Sequence, residues 1–105
     1  MNSRDRSRAE NVFGRRMLEA RERAGLPQDK LGVMIGLEES SSSARMSRYE
    51  TGMHEPPVAT ARRIAAALNV PLAYLYCDED LSAQIILRVH ALSFAGRQRL
   101  LESLD

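Results

Sequence analysis

The residues from Ser43 to Arg48 read Ser-Ala-Arg-Met-Ser-Arg, followed by Tyr49 and Glu50. On a helix, Met46 and Tyr49 turn one way, while Ser43, Ala44, Arg45, Ser47 and Arg48 are left on the other sides. Those outward side chains carry a definite chemistry. A guanidinium fork can donate two parallel hydrogen bonds to O6 and N7 of guanine, a serine hydroxyl can serve several bases, and the methyl of Ala44 can touch the methyl of thymine. A helix lying in the major groove needs this division, polar outward and anchored inward. On residue types alone, the same face serves equally well as a solvated helix surface.

Other candidate chemistry is thinner. The serine run from Ser40 to Ser43 contains no nucleophile-elbow pattern and reads as loop and helix cap. His54 and His90 have no spaced Cys or His partners, so no metal site is expected. Asp78-Glu79-Asp80 lacks the glycine and the register of a calcium loop and reads as a solvated helix start. No glycine-rich phosphate loop is present. Cys77 is the single cysteine; it cannot close an internal disulfide and suits a reducing cytoplasm. The expectation is a protein without catalytic residues, metal or cofactor, and not an enzyme.

The elements that must hold the Ser43–Arg48 face are all helical by pattern. The 105 residues, 44% apolar and 28% charged, suit one folded domain with one modest core. A flexible basic arm is expected over residues 1–10, which carry three arginines and no apolar periodicity. A first helix is expected over Asn11–Ala24, with Phe13, Met17, Ala20 and Ala24 at helical spacing and Gly25 as its stop. A second is expected over Gln28–Ile35, with Leu31, Met34 and Ile35 apolar. Glu38–Ser43 reads as a polar turn, and a third helix is expected to start near Ser42 or Ser43 and end at Thr51-Gly52. Glu55-Pro56-Pro57 forces an extended link. Val58–Leu68 forms the fourth helix with Asn69 as a left-handed cap, and Pro71 opens a short fifth over Leu72–Tyr76. Leu81, Ile85, Val89 and Leu92 mark a sixth, and Ser93 caps a last one edged by Leu100, Leu101 and Leu104.

The net charge of +1 is unevenly spread. Residues 1–63 hold 12 Lys/Arg against 9 Asp/Glu, whereas residues 64–105 hold 3 against 5, which suits a nucleic-acid face on the N-terminal part. No apolar stretch approaches a membrane span. The polar start is unlike a signal peptide, so a cytoplasmic location is expected.

At this point the residues resemble a family. Gly25-Leu26-Pro27-Gln28-Asp29-Lys30-Leu31-Gly32 is similar to the start of the second helix of Cro/repressor-type (XRE-like) helix-turn-helix domains. Met46-Ser47-Arg48-Tyr49-Glu50-Thr51-Gly52 is similar to the end of their recognition helix, and Pro56 through Leu75 to their last two helices. The resemblance implies an all-α fold: a five-helix helix-turn-helix core over residues 11–76 with one or two extra C-terminal helices over 77–105. It places DNA contacts at Gln28, Ser42, Ser43, Ala44, Arg45, Ser47 and Arg48. Ser43, Ala44 and Arg48 would read bases and Gln28 would touch phosphate. It further implies that Arg21 and Glu50 form a partly buried ion pair that orients the reading helix. Two departures stand out. About four residues, Glu38-Glu39-Ser40-Ser41, exceed the usual family turn, and Gly32 replaces a small alanine, keeping helices two and three close.

The function this implies is a sequence-specific transcriptional regulator, a repressor binding double-stranded DNA as a homodimer on a near-palindromic operator. The C-terminal extension would supply the dimer contact or fold back on its own chain. The rival reading is an antitoxin-like interaction module that binds a partner protein. The sequence names no operator and no small-molecule effector.

Overall fold

The computed structural model describes residues 11–105, so the basic arm expected over residues 1–10 lies outside the described residues. Among the described residues seven helices follow in order: α1 Val12–Ala24, α2 Gln28–Met34, α3 Glu39–Thr51, α4 Val58–Leu68, α5 Leu72–Leu75, α6 Asp80–His90 and α7 Phe94–Ser103. No strand occurs among the described residues. None of these helices is long and apolar enough to cross a membrane, and among the described residues no three His, Cys, Asp or Glu side chains gather as a metal-binding group.

Local chemistry explains most boundaries. The Asn11 side chain caps α1 by accepting from the Gly14 N–H at 2.7 Å, which satisfies one of the helix's orphan donors. Gly25 ends α1 at φ 66°, where a Cβ would be strained. Asn69 ends α4 in the same left-handed region at φ 56°. Pro57 and Pro71 immediately precede α4 and α5, positions where a missing N–H costs no hydrogen bond. One core joins the helices: Phe13, Met17 and Ala20 of α1, Leu31 of α2, Met46 and Tyr49 of α3, Ile64 and Leu68 of α4, Tyr74 and Leu75 of α5, and Ala83 of α6.

Three expectations need correction. First, α3 begins at Glu39, about one turn before Ser42 or Ser43. Three of the four surplus residues, Glu39, Ser40 and Ser41, fall inside the helix, close to one turn, and lengthen it rather than the turn. Gly36, at φ 100°, bends the chain directly after α2, and Leu37 packs against the core. Only Glu38 remains before the helix, and Glu39 sits in the first turn, where a carboxylate suits the helix dipole. Second, Met34 is 57% exposed. The short α2 turns Leu31 inward, and Ile35 just beyond it, so Met34 is left on the rim of a shallow groove beside Arg63, Ala66 and Ala67. Third, α6 packs inward with different residues from those marked as its apolar edge. Ala83 is buried and Ile86 and Leu87 pack partly on the core, whereas Leu81 and Ile85 are 67% and 53% exposed. The helix is apolar on two sides, and the more regular stripe faces out. No residue of α7 is buried.

Candidate nucleic-acid interface

The helix pair α2–α3 is set by a close approach. A Cβ on Gly32 would lie 1.8 Å from Ser42 Oγ and 2.9 Å from Ser42 Cβ, so any side chain at Gly32 would force α3 away. Ser42 is fully buried at this contact and donates its hydroxyl to the Asp29 carbonyl at 2.6 Å. Ser42, expected among the DNA-contacting residues, thus faces α2. The reason is the early start of α3, which places Ser42 in its second turn on the inward side with Met46 and Tyr49.

The opposite side of α3 is polar and open. Ser43, Ala44, Arg45 and Arg48 are exposed and Ser47 is half-buried. Neither Arg45 nor Arg48 is held in an ion pair among the described residues. Two residues that sequence reasoning assigned to a loop, Ser40 and Ser41, are exposed on the first turn of α3. Ser40 stands four residues before Ala44 and eight before Arg48, so it extends the same outward row. The spacing was visible in the sequence, but serine's preference for caps and turns obscured it.

At its C-terminal end α3 is gripped from inside. Arg21 of α1 reaches Glu50 with Nε to Oε2 at 2.5 Å and Nη2 to Oε1 at 3.1 Å, a two-pronged pair. Both side chains are largely out of water, at 15% and 5% exposure. The remaining Arg21 nitrogen donates to the Leu26 carbonyl at 2.9 Å. Gln28 donates to Glu50 Oε1 at 2.9 Å and accepts from the Ser43 hydroxyl at 3.0 Å. Gln28, expected at phosphate, is therefore also a bridge from the start of α2 to both ends of the α3 reading segment. Its amide nitrogen carries two protons, and one of them is used in the bond to Glu50. Where α1 meets this end of α3, a Cβ on Gly14 would lie 2.5 Å from the Glu50 carbonyl oxygen and 2.7 Å from that of Tyr49. Only glycine lets the two backbones come this near.

A second polar cluster lies behind the interface. Arg16, 1% exposed, donates to the carbonyls of Cys77 and Asp78 at 2.8 and 3.0 Å. It also pairs with Glu19 and Asp80, each at 3.0 Å. Burial opposes its charge, but the carboxylates of Glu19 and Asp80 outweigh that and raise its pKa. Sequence reasoning missed Arg16. The signal was its place in the apolar row Phe13, Arg16, Met17, Ala20, where a solvated arginine does not belong.

A family model for the helix-turn-helix matches residues 17–75, from the middle of α1 to the end of α5. No curated protein matches the chain. Among solved structures, the crystal structure of the transcriptional regulator BswR is similar at a TM-score of 0.83, with 43% sequence identity over 87% of this chain and 90% of that one. That share of this chain is more than residues 1–76 can supply, so the likeness runs into the C-terminal helices. On the matched core, the α2–α3 geometry and this likeness, the chain belongs to the helix-turn-helix family, in the Cro/repressor-type (XRE-like) form that Gln28–Gly32 and Met46–Gly52 resemble.

Proposed function

We propose that the protein is a sequence-specific DNA-binding transcriptional regulator, a repressor that acts in the cytoplasm as a homodimer on a near-palindromic operator. The observation that carries this reading is the outer face of α3. It joins two guanidinium groups that have no acidic partner among the described residues to exposed serines and an alanine methyl, on a helix whose other side is anchored by Met46 and Tyr49. Arg48 and Arg45 supply hydrogen bonds to base edges or groove walls, Ser43, Ala44 and Ser47 fill the space between, and Gln28 ties the start of α2 to phosphate. Arg21 and Glu50 touch no DNA in this reading; they fix the angle of α3. The mechanism is non-covalent: occupation of the operator excludes the transcription machinery. The likeness to a protein described as a transcriptional regulator supports the same class.

The dimer rests on the C-terminal helices. Leu81, Ile85, Leu92, Phe94, Leu101 and Leu104 are all exposed, and an apolar surface of this kind calls for a cover. A second copy supplies one with the same patch on both sides. Two reading helices about 34 Å apart then engage successive major grooves on one side of the duplex. The test is selection of bound duplexes from a random pool, followed by a salt titration on the enriched site. Enrichment of an inverted repeat, with affinity falling steeply as salt rises, supports the reading. A pool that enriches nothing removes it and favours the protein-interaction module.

A further inference from the structure

Helix α6 meets the core through the buried Ala83 and the partly buried Ile86 and Leu87, and no residue of α7 is buried. At the joint between α5 and α6, Phe13 of α1 packs on Tyr76 with ring centroids 5.3 Å apart, and two adjacent arginines of α1 add a polar clamp. Arg16 grips the Cys77 and Asp78 carbonyls and the Asp80 carboxylate. Arg15 reaches the same Asp80 carboxylate at 3.0 Å and the Asp78 carbonyl at 3.2 Å. Asp80 is the first residue of α6, so the clamp seizes that helix at its very start. The same α1 abuts the end of α3 through Gly14 and holds Glu50 through Arg21. One rigid helix therefore bears on the reading helix at one set of residues and on the start of the extension at another.

The structure assigns Arg15, Arg16 and Asp80 a positioning role: they set the angle between the DNA-reading core and the C-terminal helices, and through it the half-site spacing that the protein accepts. This deepens the homodimer reading and rests on it. In a dimer joined through α6 and α7, a change of a few degrees at the α5–α6 joint is carried out to the tip of each reading helix. The clamp then decides which spacer places both tips in their grooves. No other ion pair among the described residues crosses from the core to α6.

The test uses Asp80→Arg, which sets a third cation against Arg15 and Arg16. The control is Glu79→Arg, the same charge change one residue earlier, whose side chain accepts from Ser82 and has no other partner among the described residues. Residual dipolar couplings of the backbone amides report the orientation of α6 relative to α1–α5 in each protein, whatever its oligomeric state. Affinities for palindromes of graded spacer length, and for a single half-site, report the consequence. The expected result is an altered or broadened α6 orientation in Asp80→Arg alone. Its discrimination between the best spacer and its neighbours should fall about fivefold or more, with half-site affinity unchanged. An unchanged orientation overturns the clamp, and a changed orientation with an unchanged spacer profile overturns its positioning role. Sedimentation of the unsubstituted chain tests the dimer separately: a monomer removes the dimer reading and the spacing role together, while the orientation measurement still decides whether the clamp exists.

Discussion

Arg48 and Gln28 are two kinds of contact and their substitutions should separate. Arg48→Ala is expected to weaken binding to the best site by about 1–3 kcal/mol and to relax preference at one base pair. Equal loss on every duplex would make Arg48 a phosphate contact. Gln28→Ala should act evenly across sequences and also lower stability, because its amide bridges Glu50 and Ser43. Arg21→Ala should destabilise the fold by about 3–5 kcal/mol, since it strands the buried Glu50 carboxylate. In a double-mutant cycle with Glu50→Ala the pair should lose clearly less than the sum, and additivity within error would contradict a direct pair. Gly32→Ala should destabilise by about 1–3 kcal/mol through overpacking against Ser42, despite a helix-propensity gain of about 1 kcal/mol. Adding Ser42→Ala removes the nearest clashing atom and should recover part of that loss in a thermal melt. Asp80 is held below its ordinary 3.8, by its hydrogen bonds to Arg16 and then Arg15. A depressed carboxyl contributes above its unfolded pKa and ceases to contribute as pH falls through its folded value. The clamp should therefore persist at neutral pH and weaken only under acid below about 3.8. A side-chain carboxyl titration by NMR, following Asp80 with and without Arg15→Ala, checks this: the substitution should move its pKa upward.

At the scale of elements, α3 and the C-terminal pair show how far pattern reading goes. Helix α3 is weakly amphipathic. Its inward residues Ser42, Met46, Tyr49 and Glu50 include two that no hydrophobic template selects. Its early start therefore became visible only with Leu37 and Gly32 in place beneath it. In α6 the regular stripe Leu81, Ile85, Val89 was legible. Which side would face the core was not, because Ala83, Ile86 and Leu87 make a second apolar row. Ile85→Glu and Leu101→Glu should leave the monomer fold intact, as both side chains are exposed. In the homodimer reading they should raise the dimer dissociation constant strongly, which sedimentation equilibrium measures. A thermal midpoint that drops in dilute, monomeric protein would show that the exposed stripe serves the monomer instead.

The described residues form an elongated body, 48 Å along its longest axis against 30 and 24 Å across. A chain cut after Ala91 keeps α6, with Ala83 in the core and Asp80 in the clamp, and should fold. It should also self-associate less and favour a palindrome over a half-site less than the full chain does. A cut before Leu81 is a poorer test, because it removes Ala83 from the core and so mixes stability with association.

By itself, the sequence determined the all-helical fold and the order and polarity of its elements. It also marked the helix-turn-helix core and, though it missed Ser40 and Ser41 and set the buried Ser42 among the DNA contacts, the outward Ser43, Ala44, Arg45 and Arg48 of α3. These are local matters: glycine and asparagine caps, prolines before helices, and apolar spacing act within a few residues of themselves. Tertiary structure alone decided the rest. It drew three of the four surplus residues into α3, where Ser42 packs against Gly32, ten positions back along the chain. It buried Arg16 because carbonyls of Cys77 and Asp78, distant in sequence, converge on one guanidinium. It left Leu81 and Ile85 of α6 uncovered, because two rows on one helix cannot both face the same core, and it buried no residue of α7. Each outcome depends on which distant groups meet, and spacing along one chain does not contain that information.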